Sequence, residues 1–167
     1  VRLINKAKKP FIVWGQGVIL GNAEDEFKSF VEKSGIPAAW TILGVSALPT
    51  SHELNVGMVG MHGNYGPNLL TNECDLLVAI GMRFDDRVTG DPKTYANQAK
   101  IIHLDIDPAE INKNIKVEVP IIGDCKESLK LITEKIEKRS HEKWISKFDD
   151  LMLSLIHISE PTRLDGI

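Results

Sequence analysis

The 167-residue chain lacks the marks of several large protein classes. Its two cysteines, Cys74 and Cys125, are too few for a disulfide scaffold and have no partner spacing for zinc. They read as small core residues of a reducing compartment, and no metal site is expected. No apolar run approaches the roughly 18 residues that a membrane span needs. Neither the formal net charge of −3 nor any local run is basic, which argues against a nucleic-acid partner. There is no starting Met and no signal peptide, and the first strand pattern arrives only at Pro10. A piece of a longer polypeptide is therefore expected. What the chain does have is a 43% hydrophobic content with little net charge, enough for a folded core rather than disorder.

The apolar runs come in short bursts. Phe11-Ile-Val-Trp14 stops at Gly15-Gln-Gly17, as a buried strand running into a glycine turn. Asn22 is placed to cap a helix carrying Phe27, Phe30, Val31 and Ser34 at helical spacing, and Gly35 ends it. An extended run follows from Ile36 to Trp40. Residues 42 to 68 show no period, and a short helix is expected over Pro67 to Asn72. Asp75 to Ile80 is the clearest strand, and Lys100 to Asp105 the next. Asp107-Pro-Ala-Glu110 is a strong helix start. Val117 to Ile122 reads as a strand. Asp124 with Glu127 caps a helix that buries Cys125, Leu129, Ile132 and Ile136. Strands alternating with helices, on a sheet apolar on both faces, predict a doubly wound α/β domain with mostly parallel strands, Rossmann-like, over residues 1–139.

Beyond that domain, Trp144, Phe148, Leu151 and Met152 fit one amphipathic helix, read as a linker over 140–152 toward a further C-terminal domain. Residues Leu153 to Arg163 resemble the in-frame translation of a DNA sequencing adapter. Residues 153–167 are accordingly set aside as an artefact.

In an open parallel sheet, ligands bind beyond the carboxyl ends of the strands. Here those ends are polar or glycine-rich, at Gly15 to Gly17, Thr41 to Gly44, Gly81 to Arg87, Asp105 to Asp107 and Gly123-Asp124. Gly15-x-Gly17-x-x-x-Gly21 is close to a dinucleotide fingerprint, whose glycines admit a phosphate or ring beside a helix amino end. A tight turn without a ligand fits it equally well. Asp105 is placed to accept from ribose hydroxyls, or simply to form a turn. Asp107 and Asp124 read first as caps. Arg83-Phe-Asp-Asp-Arg87 offers two guanidinium forks for phosphate or carboxylate, with carboxylates to hold them; a self-neutralising surface cluster is the alternative. Gly60-Met-His-Gly63 lies in a long irregular stretch of the kind that carries function, yet no nucleophile accompanies His62.

The segments Val59 to Gly63, Glu73 to Gly90 and His103 to Ile111 resemble the central domain of the acetolactate synthase (acetohydroxyacid synthase) catalytic subunit, a thiamine-diphosphate enzyme. The likeness runs from about Lys9 to Leu131, and Arg83 to Gly90 is its most specific stretch. It implies an enzyme that condenses two 2-keto acids, pyruvate with pyruvate or with 2-ketobutyrate, releasing carbon dioxide in branched-chain amino-acid synthesis. It implies FAD in this domain, neither reduced nor oxidised in the net reaction. By matching position, FAD would be contacted by Gly15, Gln16, Gly17, Thr41, Ile42, Val59, Gly60, Met61, His62, Gly81, Met82, Arg83, Phe84, Asp85, Asp105, Ile106 and Asp124. Met61, Asp86 and Arg87 would line the substrate channel, Arg87 attracting the carboxylate of the second keto acid. Thiamine diphosphate and Mg²⁺ would belong to preceding and following domains. No catalytic residue is expected here, and no activity from this chain alone. The resemblance also implies a cytoplasmic, bacterial protein whose full-length chain forms a homo-oligomer, with or without a regulatory subunit. Two departures stand out: Gln16 where many members have glycine, and Tyr65-Gly-Pro67 in place of a more helical sequence. The competing expectations are another thiamine-diphosphate 2-keto acid oxidase or decarboxylase, and a stand-alone FAD- or NAD-binding module.

Overall fold

The computed structural model describes the backbone of residues 1–159 and the side chains of residues 1–153. Its centre is a sheet of β1 (Pro10–Trp14), β2 (Ala38–Trp40), β3 (Asn55–Met58), β4 (Leu76–Ile80), β5 (Lys100–Asp105) and β6 (Val119–Ile122). All pairs are parallel, in the order β3-β2-β1-β4-β5-β6. The chain winds outward from β1 on one side, then returns to β4 and winds outward on the other. This is the doubly wound arrangement expected from the alternating strands and helices.

Strand alternation divides the core into two. Ile12 and Trp14, with Val78, Ile80, Ile102 and Leu104, face α3 (Glu24–Ser34) and α6 (Cys125–Lys135). Phe11 and Val13, with Leu77, Ala79 and Ile101, face the other way, toward α4 (Tyr65–Thr71) and α7 (Glu142–Ser159). That is why β1 and β4 are apolar at every position: each face has its own cover. The edges differ. In β6 the side chains are largely exposed, and Pro120 is tolerated because an edge strand can spare a donor.

Several local expectations shift. Asn22 is not a cap; it takes a left-handed φ of 47°, and α3 opens with Ala23 at its N-cap and three acids in its first turn. A short helix α2 (Gln16–Leu20) forms inside the glycine turn, and α1 (Arg2–Lys6) precedes β1. Asp107 does cap, accepting from the Ala109 amide, but Pro108–Glu110 is a single 3₁₀ turn, and Glu110 pairs with Lys113 at 2.7 Å. Asp124 caps α6 through the Glu127 amide. Strand β3 lies within the stretch that shows no period.

Helix α7 is docked on the domain. The Trp144 indole donates to the Pro10 carbonyl at 2.8 Å, and Phe148, 1% exposed, stacks tilted on Phe11. Its backbone runs unbroken past Leu153, where the adapter-like string begins, to Ser159; the rest of that string lies outside the described residues. At the amino edge of the sheet, Asp75 accepts from the Lys8 and Lys9 amides at 2.7 and 2.9 Å. It thereby ties the entry of β4 to that of β1.

Candidate functional site along the carboxyl rim

The winding reverses between β1 and β4, so the loops leaving these strands flank the switch point where open sheets hold ligands. The tips are fastened in a row. Each donates a first amide to a carbonyl at or next to the end of its neighbour: Val59 to Trp40, Thr41 to Trp14, Gly15 to Ile80, Gly81 to Leu104 and Gly123 to Asp105, at 2.8–3.1 Å. All six strand ends therefore meet in one continuous rim.

The glycines at its centre serve each other. A Cβ on Gly15 would lie 2.6 Å from the Gly81 carbonyl oxygen, and one on Gly17 would lie 2.6 Å from Gly81 Cα. Gly81 has φ +56°, open to glycine at little cost. The Gly17 amide donates to the Gly81 carbonyl at 2.8 Å, so it is not left for a phosphate. These residues let two turns pack backbone to backbone, which differs from the phosphate cradle that the fingerprint suggests.

From Met82 to Phe84 the chain forms a ledge whose side chains alternate inward and outward. Met82 and Phe84 point into the core, 4% and 3% exposed, so of these two only the backbone can meet a ligand. Arg83 points out, and its guanidinium approaches Asp85 at 3.5 Å. Asp85 also caps α5 (Asp86–Thr89) by accepting from the Arg87 amide. Asp86 and Arg87 are exposed, and among the described residues the Arg87 guanidinium makes no ion pair.

Toward β3, Asn68 clamps Gly60 in both directions, accepting from its amide and donating to its carbonyl. The Met61 amide donates to the Arg87 carbonyl at 2.7 Å, which brings together Met61, Asp86 and Arg87, the three residues expected to line a channel. Met61, Ile42 and Ile106 are 69%, 66% and 73% exposed, an unusual set of bare apolar side chains along one edge. Gln16 and His62 are also exposed, while Thr41 and Val59 are buried. Asp105 is nearly buried; one oxygen accepts from the Asp107 amide, and the other faces His103 Nε2 at 3.7 Å. Asp124 adjoins through the Gly123 link, with its carboxylate committed to the cap.

Behind Asp124, Cys125 is buried. Burial first, then Asp124, Asp105 and Glu26, push its thiol up to about 12. It stays protonated near neutrality and offers no nucleophile. Among the described residues no group of three or more His, Cys, Asp or Glu is placed to hold a metal ion, and no helix is long and apolar enough to cross a membrane. An apolar cavity of about 270 Å³ lies on the face of the sheet covered by α3 and α6, lined by residues such as Ile4, Phe30, Ile102 and Leu129. Residues without an assigned role in the sequence reading, His103, Asn68 and Asn114, turn out to organise the rim. The one sequence signal for His103 is a polar residue inside the apolar run Ile101 to Leu104.

Comparison with known proteins bears on what such a rim holds. The family model described as thiamine pyrophosphate enzyme, central domain, matches residues 1–132. The acetolactate synthase large subunit of Corynebacterium glutamicum is 49% identical over 150 residues, which cover 87% of this chain and 24% of that protein. A probable acetolactate synthase large subunit of Methanocaldococcus jannaschii is 43% identical over 153 residues, 90% of this chain and 26% of that protein. The chloroplastic acetolactate synthase of Arabidopsis thaliana is 45% identical over 142 residues, 85% of this chain and 21% of that protein. The chain spans about a quarter of the length of these curated relatives.

Proposed function

Because the chain belongs to the thiamine pyrophosphate enzyme central-domain family, we propose that it is the central domain of an acetolactate synthase catalytic subunit and that its carboxyl rim holds FAD. The observation that carries this reading is the union of Gly15 to Gly17, Gly81 to Asp85 and Asp105 at the switch point, a site suited to a dinucleotide. The donor set fits a flavin nucleotide. Arg83 supplies a cation beside the ledge, Asp105 a carboxylate for hydroxyls, and Ile42, Met61 and Ile106 a bare apolar margin for a ring system.

In the whole enzyme, two 2-keto acids would be condensed with loss of carbon dioxide. Thiamine diphosphate would supply the electron sink for that chemistry from domains beyond this one, with Mg²⁺ as its anchor. This chain would hold the flavin, which the net reaction leaves unchanged, and would shape the substrate channel. Arg87, exposed and without an ion pair among the described residues, would attract the carboxylate of the second keto acid. Met61 and Asp86 would stand beside it. The full-length chain would work as a homo-oligomer, with or without a regulatory subunit, in branched-chain amino-acid synthesis and in the cytoplasm of a bacterium.

Titration of the chain with FAD, followed by flavin fluorescence, tests the reading. Saturable binding that Arg83→Ala weakens supports it. No binding by either this chain or a three-domain enzyme containing it would reject the flavin assignment.

A further inference from the structure

His103 is fully buried, with its ring set edge-on against Phe84 at a centroid distance of 4.9 Å. An imidazole in apolar surroundings is costly unless it is hydrogen-bonded. Among the described residues this one has a single bond: Nε2 lies 2.8 Å from the Met82 carbonyl, while Nδ1 is buried without a partner. A carbonyl only accepts, so Nε2 carries the hydrogen. If packing alone mattered, an apolar ring would fill the place without leaving Nδ1 unpaired. The bond to Met82 is therefore what the imidazole adds.

The ledge needs that bond. The Gly81 amide makes the last ladder contact between β4 and β5, and beyond it strand pairing ends. The Met82 carbonyl would otherwise be a buried acceptor without a partner. Farther along, Asn114 Nδ2 donates to the Phe84 carbonyl at 2.7 Å. The two bonds fix the ledge from behind, so Met82 and Phe84 stay inward and Arg83 stays outward. The same His103 nitrogen faces Asp105 at 3.7 Å, so one buried ring stands behind two of the residues assigned to the nucleotide.

We propose that His103 is a positioning residue for the rim: its Nε2–H fixes the Met82 carbonyl, and through it the setting of Arg83, in register with Asp105. The functional half of this inference rests on the flavin reading; the lock itself does not.

The test uses the full 167-residue chain. Without ligand, the side-chain ¹⁵N spectrum should show His103 protonated at Nε2 and bare at Nδ1. The reverse pattern overturns the lock, whatever the variants do. His103→Phe keeps a ring in the packing and removes the donor. The Arg83 and Asp85 amide signals should shift or broaden in it, and return in His103→Gln, whose amide can donate at similar reach. Unchanged signals in His103→Phe overturn the inference. With FAD, His103→Phe should weaken binding roughly three- to tenfold, and His103→Gln should recover most of the loss. In an Arg83→Ala background, His103→Phe should cost nothing further, because it acts through that side chain. Fully additive losses overturn the positioning role. If neither the unmodified chain nor a three-domain enzyme containing it binds FAD, the flavin reading fails, and the ligand-free spectra alone decide the lock.

Discussion

Gly17 and Gly81 each occupy the space that the other's side chain would need: a Cβ on Gly17 would lie 2.6 Å from Gly81 Cα, and one on Gly81 would lie 2.7 Å from Gly17 Cα. The two turns that leave the central strands are thus pressed backbone to backbone at the switch point. Neither can gain a methyl group without moving the other.

Two glycine substitutions separate strain from overlap. Gly90 has φ +60° and ψ −121° but open space around its Cβ position. Gly90→Ala is expected to cost about 1–3 kcal/mol from backbone strain alone. Gly81→Ala adds collision with backbone atoms, a further ~1–3 kcal/mol. Urea unfolding of both variants checks this, and a Gly81→Ala no less stable than Gly90→Ala would contradict the packing described.

Helix α7 offers a second contrast. Phe148→Ala removes a ring from the core beneath it and should cost about 3–5 kcal/mol. Lys147→Ala, next door, removes an exposed pair with Glu73 and should change stability by less than about 1 kcal/mol. Thermal melts of the two variants would distinguish a docked helix from a loosely tethered one, for which both effects would be small.

The thiols should be silent in the native state. Burial, with Asp75 adding, pushes Cys74 up to about 12, and Cys125 is pushed equally far. At pH 8 both stay protonated, so labelling by a disulfide reagent should proceed only as fast as the protein opens. Both pKa values are raised on folding, so the folded state holds these protons longer than the unfolded state. The associated stability is complete below pH 9, the ordinary thiol value, and is lost as the pH climbs toward 12. Rapid native-state labelling of either cysteine would contradict this.

Within the proposed enzyme, Arg87 and Arg83 should fail differently. Arg87→Ala leaves the Met61–Arg87 bond intact, because that bond is made by the backbone. It should raise the KM for the second keto acid roughly tenfold while flavin content stays near normal. Arg83→Ala should release flavin instead. Steady-state kinetics with bound-flavin absorbance would show the split; equal loss of both functions in Arg87→Ala would remove its assigned role.

Strands β1, β4 and β5 are legible in the sequence because a central parallel strand is apolar at nearly every position, and few other structures are. Strand β3 is not. Of Asn55 to Met58 only Val56 is buried, so the strand has no apolar run to read. Helix α2 hides inside a glycine motif that reads as a turn, and Asn22 resembles a cap while serving as a left-handed corner. The rim itself is legible as a set of strand ends. Its internal bracing is not, because His103 and Asn114 act on carbonyls more than twenty residues away, Asn68 reaches back across a loop to Gly60, and no local pattern records such partners.

Asp75 sits at the opposite border of the sheet from the rim, yet it governs alignment there. By gripping two successive amides of the incoming chain, it sets the phase of β1 against β4 before the first paired residue. Five paired positions later, that phase decides whether Gly15 arrives opposite Gly81 or one step out of place. A slip at the anchored margin would surface at the far side as a steric misfit, so a carboxylate at the opposite border acts as the datum from which the rim is measured.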